Sequence, residues 1–163
     1  MTGVTLDSQQ WELPSNTAIY GMTLDAEGQP WMAGLSGELT YFDTATEQFL
    51  VYQLAANALR GLQIDRDGFV WAAVNGECGV AKFDIATRTV VNALIPLPGC
   101  TTPVGISIDT DGFVWVPDQG ANLTFKLDPV SLAATTTTGL VAPYTYSDMT
   151  GAGLGLVVHP PAG

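Results

Sequence analysis

The sequence predicts an all-β protein, a β-propeller built from four-stranded antiparallel blades with about three complete blades per chain. Three observations carry this. The chain repeats itself with a period of roughly 40 to 44 residues. Each repeat contains the pattern Gly-x-x-x-Asp-x-x-Gly-x-x-Trp. Between these landmarks lie short runs of β-branched and aromatic residues, separated by Gly and Asp turns, as expected of an antiparallel meander.

The repeat can be followed strand by strand. Gly21-Met22-Thr23-Leu24-Asp25 recurs as Gly61-Leu62-Gln63-Ile64-Asp65 and as Gly105-Ile106-Ser107-Ile108-Asp109. Gly28, Gly68 and Gly112 then supply a position with φ > 0 that closes the first hairpin. Tryptophan strands follow around Trp31, Trp71 and Trp115, and third strands end in Asp43, Asp84 and Asp128. Outer strands are expected at Gln48–Tyr52, at Thr89–Leu94 and around Ala134–Thr138. Such a meander cannot bury both faces alone, so the tryptophans are expected to fill the gaps between stacked sheets. Leu54–Leu59 is expected to make at most one short helical turn, in a blade-to-blade connection.

The whole chain, 1–163, reads as a single repeat domain with units at about 14–53, 54–97 and 98–139. A partial unit, 140–163, is expected to pair with 4–13, where Gln10-Trp11-Glu12-Leu13 offers an outer strand. Tyr144–Met149 and Leu154–Val158 offer inner strands. If these ends pair within one chain, they close a small four-unit ring. If they pair between chains, two arcs complete a larger ring, and a homodimer is the expected partner arrangement. A piece of a longer chain is the third possibility.

Composition narrows the function classes. Hydrophobic residues make up 47% of the chain, enough for a real core. Sixteen acidic residues against five basic ones give a net charge of -11, which argues against a nucleic-acid surface because little is present to replace counterions along phosphates. No apolar run approaches the roughly 18 to 20 residues of a membrane span, so no membrane insertion is expected. The first residues, Met1-Thr2-Gly3-Val4, carry neither a basic start nor an apolar stretch, and no secretion signal is visible.

The repeat resembles the streptogramin lyase-like propellers, neighbours of the NHL-repeat propellers. Residues 105–131 match best, running from Gly105-Ile106-Ser107-Ile108-Asp109 through Trp115 to Leu127-Asp128-Pro129. The resemblance covers roughly 18–140 and implies the propeller fold. It also implies that the loops between second and third strands, together with the blade connections, form the binding face. That face would gather Tyr20, Arg60, Asn75, Glu77, Asp118 and Tyr144, a polar set suited to a small-molecule or protein ligand.

The lyases it resembles use histidine on this face. This chain has only His159, beside Pro160 and Pro161, so no catalytic residue is assigned. There is no His/Cys cluster for zinc, and Asp65-x-Asp67-Gly68 and Asp109-x-Asp111-Gly112 lack the distal ligands of a calcium loop and read as hairpin turns. No metal site and no cofactor are expected. The expected function is therefore a non-enzymatic binding or structural module. The competing reading is a carbon–oxygen lyase or hydrolase in which carboxylates such as Glu77 or Asp118, with a divalent metal, replace the histidine.

Cys78 falls in a loop of the second unit and Cys100 in the connection to the third, so both are expected on one face. A disulfide there would close about 22 residues and contribute roughly 3 kcal/mol. It would point to a periplasmic or extracellular protein. The alternative is a pair of reduced, partly buried thiols.

Overall fold

The hairpin that opens each repeat is held by its aspartate. The computed structural model describes residues 8–55 and 57–145. In it Asp25 Oδ1 accepts hydrogen bonds from the Glu27 and Gln29 amides at 3.1 and 2.8 Å, while Oδ2 accepts one from Trp31 Nε1 at 2.9 Å. Asp65 does the same with Asp67, Phe69 and Trp71, and Asp109 with Asp111, Phe113 and Trp115. One carboxylate thus folds the turn and fixes the indole that will enter the core. Gly28, Gly68 and Gly112 take φ of 78°, 82° and 92°, the left-handed conformation that a side chain resists.

Twelve strands result among the described residues. The first sheet comprises β1 (Ile19–Leu24), β2 (Pro30–Gly34), β3 (Glu38–Asp43) and β4 (Gln48–Gln53). The second comprises β5 (Leu59–Ile64), β6 (Phe69–Val74), β7 (Gly79–Asp84) and β8 (Thr89–Pro96), and the third β9 (Ser107–Ile108), β10 (Val114–Asp118), β11 (Leu123–Leu127) and β12 (Ala134–Thr138). Each is an antiparallel meander with neighbours in sequence order. The β3–β4 turn and its counterparts are closed by Asp43, Asp84 and Asp128, each accepting two backbone amides. Those amide bonds, led by Thr46, Thr87 and Ser131, hold the three carboxyls below the usual aspartate range.

Two cores join the three sheets. Trp31, Leu39, Tyr41, Leu59, Leu62, Val70 and Phe83 fill the space between the first and second sheets. Trp71, Val80, Ile106, Val114, Val116 and Phe125 fill the space between the second and third. Trp31 and Trp71 are wholly buried. At about 150 to 250 Å² each, their burial contributes on the order of 4 to 6 kcal/mol apiece before entropy is counted.

Several expectations need correction. Trp115 is only half-buried, because no described sheet packs against its side of the third sheet; Lys126 Nζ lies 5.2 Å from its ring instead. Gln10-Trp11-Glu12-Leu13 forms no strand. Its tryptophan lies against Phe42 of the first sheet at 4.9 Å and stays 42% exposed. Leu54 and Ala55 form no helical turn; both amides bond to the Gly37 carbonyl, which pulls the connection onto the top of β3. The inner strand of the third unit shrinks to Ser107–Ile108. The segments 4–7 and 146–163, including Leu154–Val158 and His159, lie outside the described residues. Among the described residues, no helix is long and apolar enough to cross a membrane.

Candidate active-site end of the inner strands

Tyr20 and Arg60 occupy equivalent positions, each just before the glycine that begins the repeat pattern on an inner strand. The two inner strands therefore bring them together. The Arg60 guanidinium carbon sits 4.5 Å from the centroid of the Tyr20 ring. In the third repeat the same position is Val104, whose carbonyl accepts the Gly61 amide at 2.9 Å and ties that strand alongside.

Residues 139–145 return from β12 toward this centre. Asn122 Oδ1 accepts the Ala142 amide at 2.7 Å, and the Tyr144 hydroxyl reaches the Tyr20 hydroxyl in a hydrogen bond. Thr145 lies directly on Gly105, where a Cβ would meet its Oγ1. Only glycine admits that approach. Tyr20, Arg60 and Tyr144, three of the residues expected on the binding face, thus meet at one end of the inner strands.

Two polar atoms here are buried without a partner among the described residues: Arg60 Nε and Thr145 Oγ1. A buried donor left unsatisfied costs about 1 to 3 kcal/mol, so such groups mark places where a ligand or water completes the bonding. The other cations are engaged elsewhere. Lys82 lies over Phe69 and Trp71, Lys126 over Phe113, Arg88 over Tyr41 with a bond to the Tyr52 hydroxyl, and Arg66 bonds to the Thr110 carbonyl.

The other expected site residues lie at the same end but do different work. Asn75 donates its Nδ2 to the Pro103 carbonyl at 3.0 Å, holding the second-sheet loop to the next connection. Glu77 is exposed on that loop. Asp118 is fully buried, and its carboxylate accepts the Thr101, Thr102 and Ala121 amides and the Thr101 hydroxyl. Burial raises its pKa, but these bonds outweigh that and hold it below the usual range. It is enclosed rather than presented on an open loop.

The Asp118 carboxylate has a counterpart that sequence reasoning missed. Gly34 ends β2 where Asp118 ends β10, and the Glu38 carboxylate fills the space a side chain at 34 would take. Glu38 Oε1 accepts the Ala18 amide at 2.8 Å and Oε2 the Ser36 amide at 2.9 Å. Both acids therefore clamp the incoming connection to the loop after the second strand. The second sheet is tied covalently to its outgoing connection: Cys78, just before β7, and Cys100, beyond β8, form the expected disulfide, with Cα atoms 5.7 Å apart.

At the opposite end, a cleft of about 240 Å³ runs between the second and third sheets, lined by Asp65, Asp67, Asp109 and Asp111. Asp65 and Asp109 are committed to their turns and tryptophans, and Arg66 spans the gap to the Thr110 carbonyl.

No protein-family model matches the sequence, and no curated protein matches it. Solved structures match in shape. A catalytically inactive histidine-to-alanine variant of virginiamycin B lyase from Staphylococcus aureus, crystallised with quinupristin, superposes with a TM-score of 0.70 at 19% identity over 86% of this chain and 48% of that one. The fold resembles that of the streptogramin lyases. Hydrazine synthase from Kuenenia stuttgartiensis gives 0.70 at 17% identity, covering 84% of this chain and 41% of that one. A WD40 β-propeller domain gives 0.64 at 11% identity over 76% and 42%. The chain spans less than half the length of each.

The lyase likeness corrects the expectation of a purely non-enzymatic module. The one histidine of the sequence, His159, lies outside the described residues. The shape is shared with a lyase over most of the chain. The structure also gathers Cys78, Cys100 and Asp118 so that one potential ligand atom from each lies within 4.8 Å of the others.

Proposed function

We propose that this chain is part of an enzyme, a carbon–oxygen lyase or hydrolase acting on an ester-bearing substrate at the Tyr20–Arg60–Tyr144 end of the inner strands. The observation that carries it is the pair of buried, partnerless polar atoms, Arg60 Nε and Thr145 Oγ1, beside the tyrosine pair. The likeness to virginiamycin B lyase supports the reaction class.

The chemistry follows from the groups. A guanidinium stays charged at any working pH and is suited to stabilise negative charge developing on a carbonyl oxygen. In an elimination, a base takes the proton from the carbon beside the carbonyl, the C–H pair becomes a C=C bond, and the C–O pair leaves on oxygen. Glu77 is the exposed carboxylate offered for the first step, and the Tyr20–Tyr144 hydroxyl pair is placed to return a proton to the leaving oxygen. In the hydrolytic version water attacks instead.

We infer that a second copy packs against this arc as a homodimer. Met22 and Leu24, exposed on β1, and the half-buried Trp115 at the other end are the apolar surfaces such a partner would cover. The disulfide fits a periplasmic or extracellular setting.

Quinupristin and linear esters, incubated with the protein and followed by mass spectrometry, test the reading. Elimination opens a ring without changing its mass, whereas hydrolysis adds one water. Arg60→Ala is expected to lower turnover by about 100-fold. Absence of both turnover and binding of all these esters would overturn the proposal.

A further inference from the structure

Cys78 stands at a left-handed position of the backbone. The residue preceding the third strand of each sheet is left-handed: Gly37 at φ 85°, Cys78 at 61° and Asn122 at 56°. Glycine and asparagine tolerate this conformation, whereas cysteine has no such preference. Glu47, Arg88 and Leu132 take the same conformation, so what distinguishes Cys78 is what its sulfur touches. The sulfur meets Cys100 and, in the same cluster, the buried carboxylate of Asp118.

We propose that Cys78, Cys100 and Asp118 form a redox-gated binding site for a borderline-soft divalent cation such as zinc, closed by the disulfide and opened by a dithiol reductant. The ligand chemistry is that of a zinc site: two thiolates and a carboxylate, with a fourth position for water or another ligand. A tetrahedral ion about 2.3 Å from each sulfur needs those sulfurs only about 3.7 Å apart. The backbone already spans the pair at 5.7 Å between Cα atoms, and all three donor atoms lie within 4.8 Å. Once the disulfide is reduced the sulfurs part from bonding distance, and the carboxylate oxygen, within 4.8 Å of them, closes in to complete the triangle.

Asp118 is prepared for the role. Its Oδ1 accepts from Thr101 Oγ1, the Thr102 amide and the Ala121 amide, while Oδ2 accepts only the Thr101 amide, at 2.7 Å. A carboxylate oxygen has two lone-pair directions, so Oδ2 keeps one for a cation. The four donors become the outer shell that orients the ligand. Both cysteines are only partly buried residues, whereas Asp118 is fully buried.

The exchange balances. A dithiol transfers two electrons to the Cys78–Cys100 bond and closes to its own disulfide, and the two freed sulfurs take the two protons it gives up. The cation then displaces those protons, leaving two thiolates and one carboxylate around it. The site would also restore, through the metal, the clamp that reduction removes.

The full chain, reduced with a phosphine, desalted under argon and titrated with cobalt(II), provides the test. One equivalent is expected to bind with sulfur-to-cobalt charge-transfer absorption and tetrahedral d–d bands, reversed by zinc, and the oxidised protein should give none. Asp118→Asn should weaken binding by about tenfold or more. Thermal melts supply a second readout: reduction should lower the melting temperature, and zinc should recover it. Cadmium NMR of the wild-type complex reads the donor set directly, even if the variant folds poorly. No cobalt binding, no recovery by zinc, or a sulfur-only donor set would each overturn the site, and none of these readouts depends on ester turnover.

Discussion

Removing the Asp65 carboxylate tests whether the aspartate–tryptophan pair organises the fold. In Asp65→Ala three bonds are lost, to the Trp71 indole at 2.7 Å and to the Phe69 and Asp67 amides at 2.9 and 3.0 Å. Trp71 is wholly buried, so its N–H loses its partner where water does not reach, at about 1 to 3 kcal/mol. The turn amides sit toward solvent, and losing their acceptor resembles losing a helix cap, at about 1 kcal/mol. The expected total is about 2 to 4 kcal/mol. Asp109→Ala removes the same three bonds, but Trp115 is half-buried and water can replace the acceptor. Its part-exposed ion pair with Lys126, at 3.5 Å, adds about 0 to 1 kcal/mol, so the total there should be about 1 to 2 kcal/mol. Urea denaturation followed by tryptophan fluorescence measures both. The cost of Asp65→Ala should also shrink in a Trp71→Phe background, which has no indole N–H to orphan. An Asp109→Ala cost equal to or above that of Asp65→Ala would refute the reasoning.

Three further outcomes follow from the same packing. Trp71→Ala should cost about 3 to 5 kcal/mol, and Trp115→Ala clearly less; chemical denaturation of both variants makes the comparison. Denatured, unreduced protein should show no reactive thiols in a thiol-titration assay, because Cys78 and Cys100 are paired. Light scattering coupled to size exclusion should give twice the 17.1 kDa chain mass, and a mass that stays at one chain at every concentration would reject the homodimer.

The repeat was legible because its chemistry is local. Asp25, Gly28 and Trp31 belong to one hairpin, so three residues of nearby sequence disclose a turn, its conformation and its buried indole together. The strand order followed from that periodicity, and the meeting of Tyr20, Arg60 and Tyr144 followed from the topology of a meander. Features that depend on contacts across the chain were not legible. Glu38 gives no signal on its own, because its role is defined by an empty Cβ position at Gly34 and an amide at Ala18. Asp118 was visible as an acid but not as an enclosed one, since Thr101 and Thr102 reach it from a connection of unforeseen path. Gln10–Leu13 alternates like a strand, yet Trp11 finds Phe42 and needs no ladder.

Asp118 also makes stability depend on acid in a predictable direction. Its carboxyl is held below the usual range in the folded protein, against burial, by four donors. A group whose folded pKa is depressed stabilises the fold above its unfolded value, about 3.9, and that contribution is lost as pH falls through the folded pKa. Asp43, Asp84, Asp109 and Asp128 are lowered as well, so their effects add in the same sense. For Asp109, burial opposes the shift and the Trp115 and Phe113 bonds and Lys126 overcome it. Protonation also reduces the repulsion within a chain of net charge -11, which works the other way, so total stability is a poor readout. The difference between wild type and Asp118→Asn isolates one group. The asparagine keeps a single acceptor oxygen and turns an N–H toward donors, which should cost roughly 2 to 3 kcal/mol at neutral pH. Melting temperatures of the two proteins should stay separated from neutrality down to about pH 5 and converge below about pH 4. A separation that persists unchanged at the lowest pH where both still fold would mean that Asp118 contributes by shape alone, without its charge.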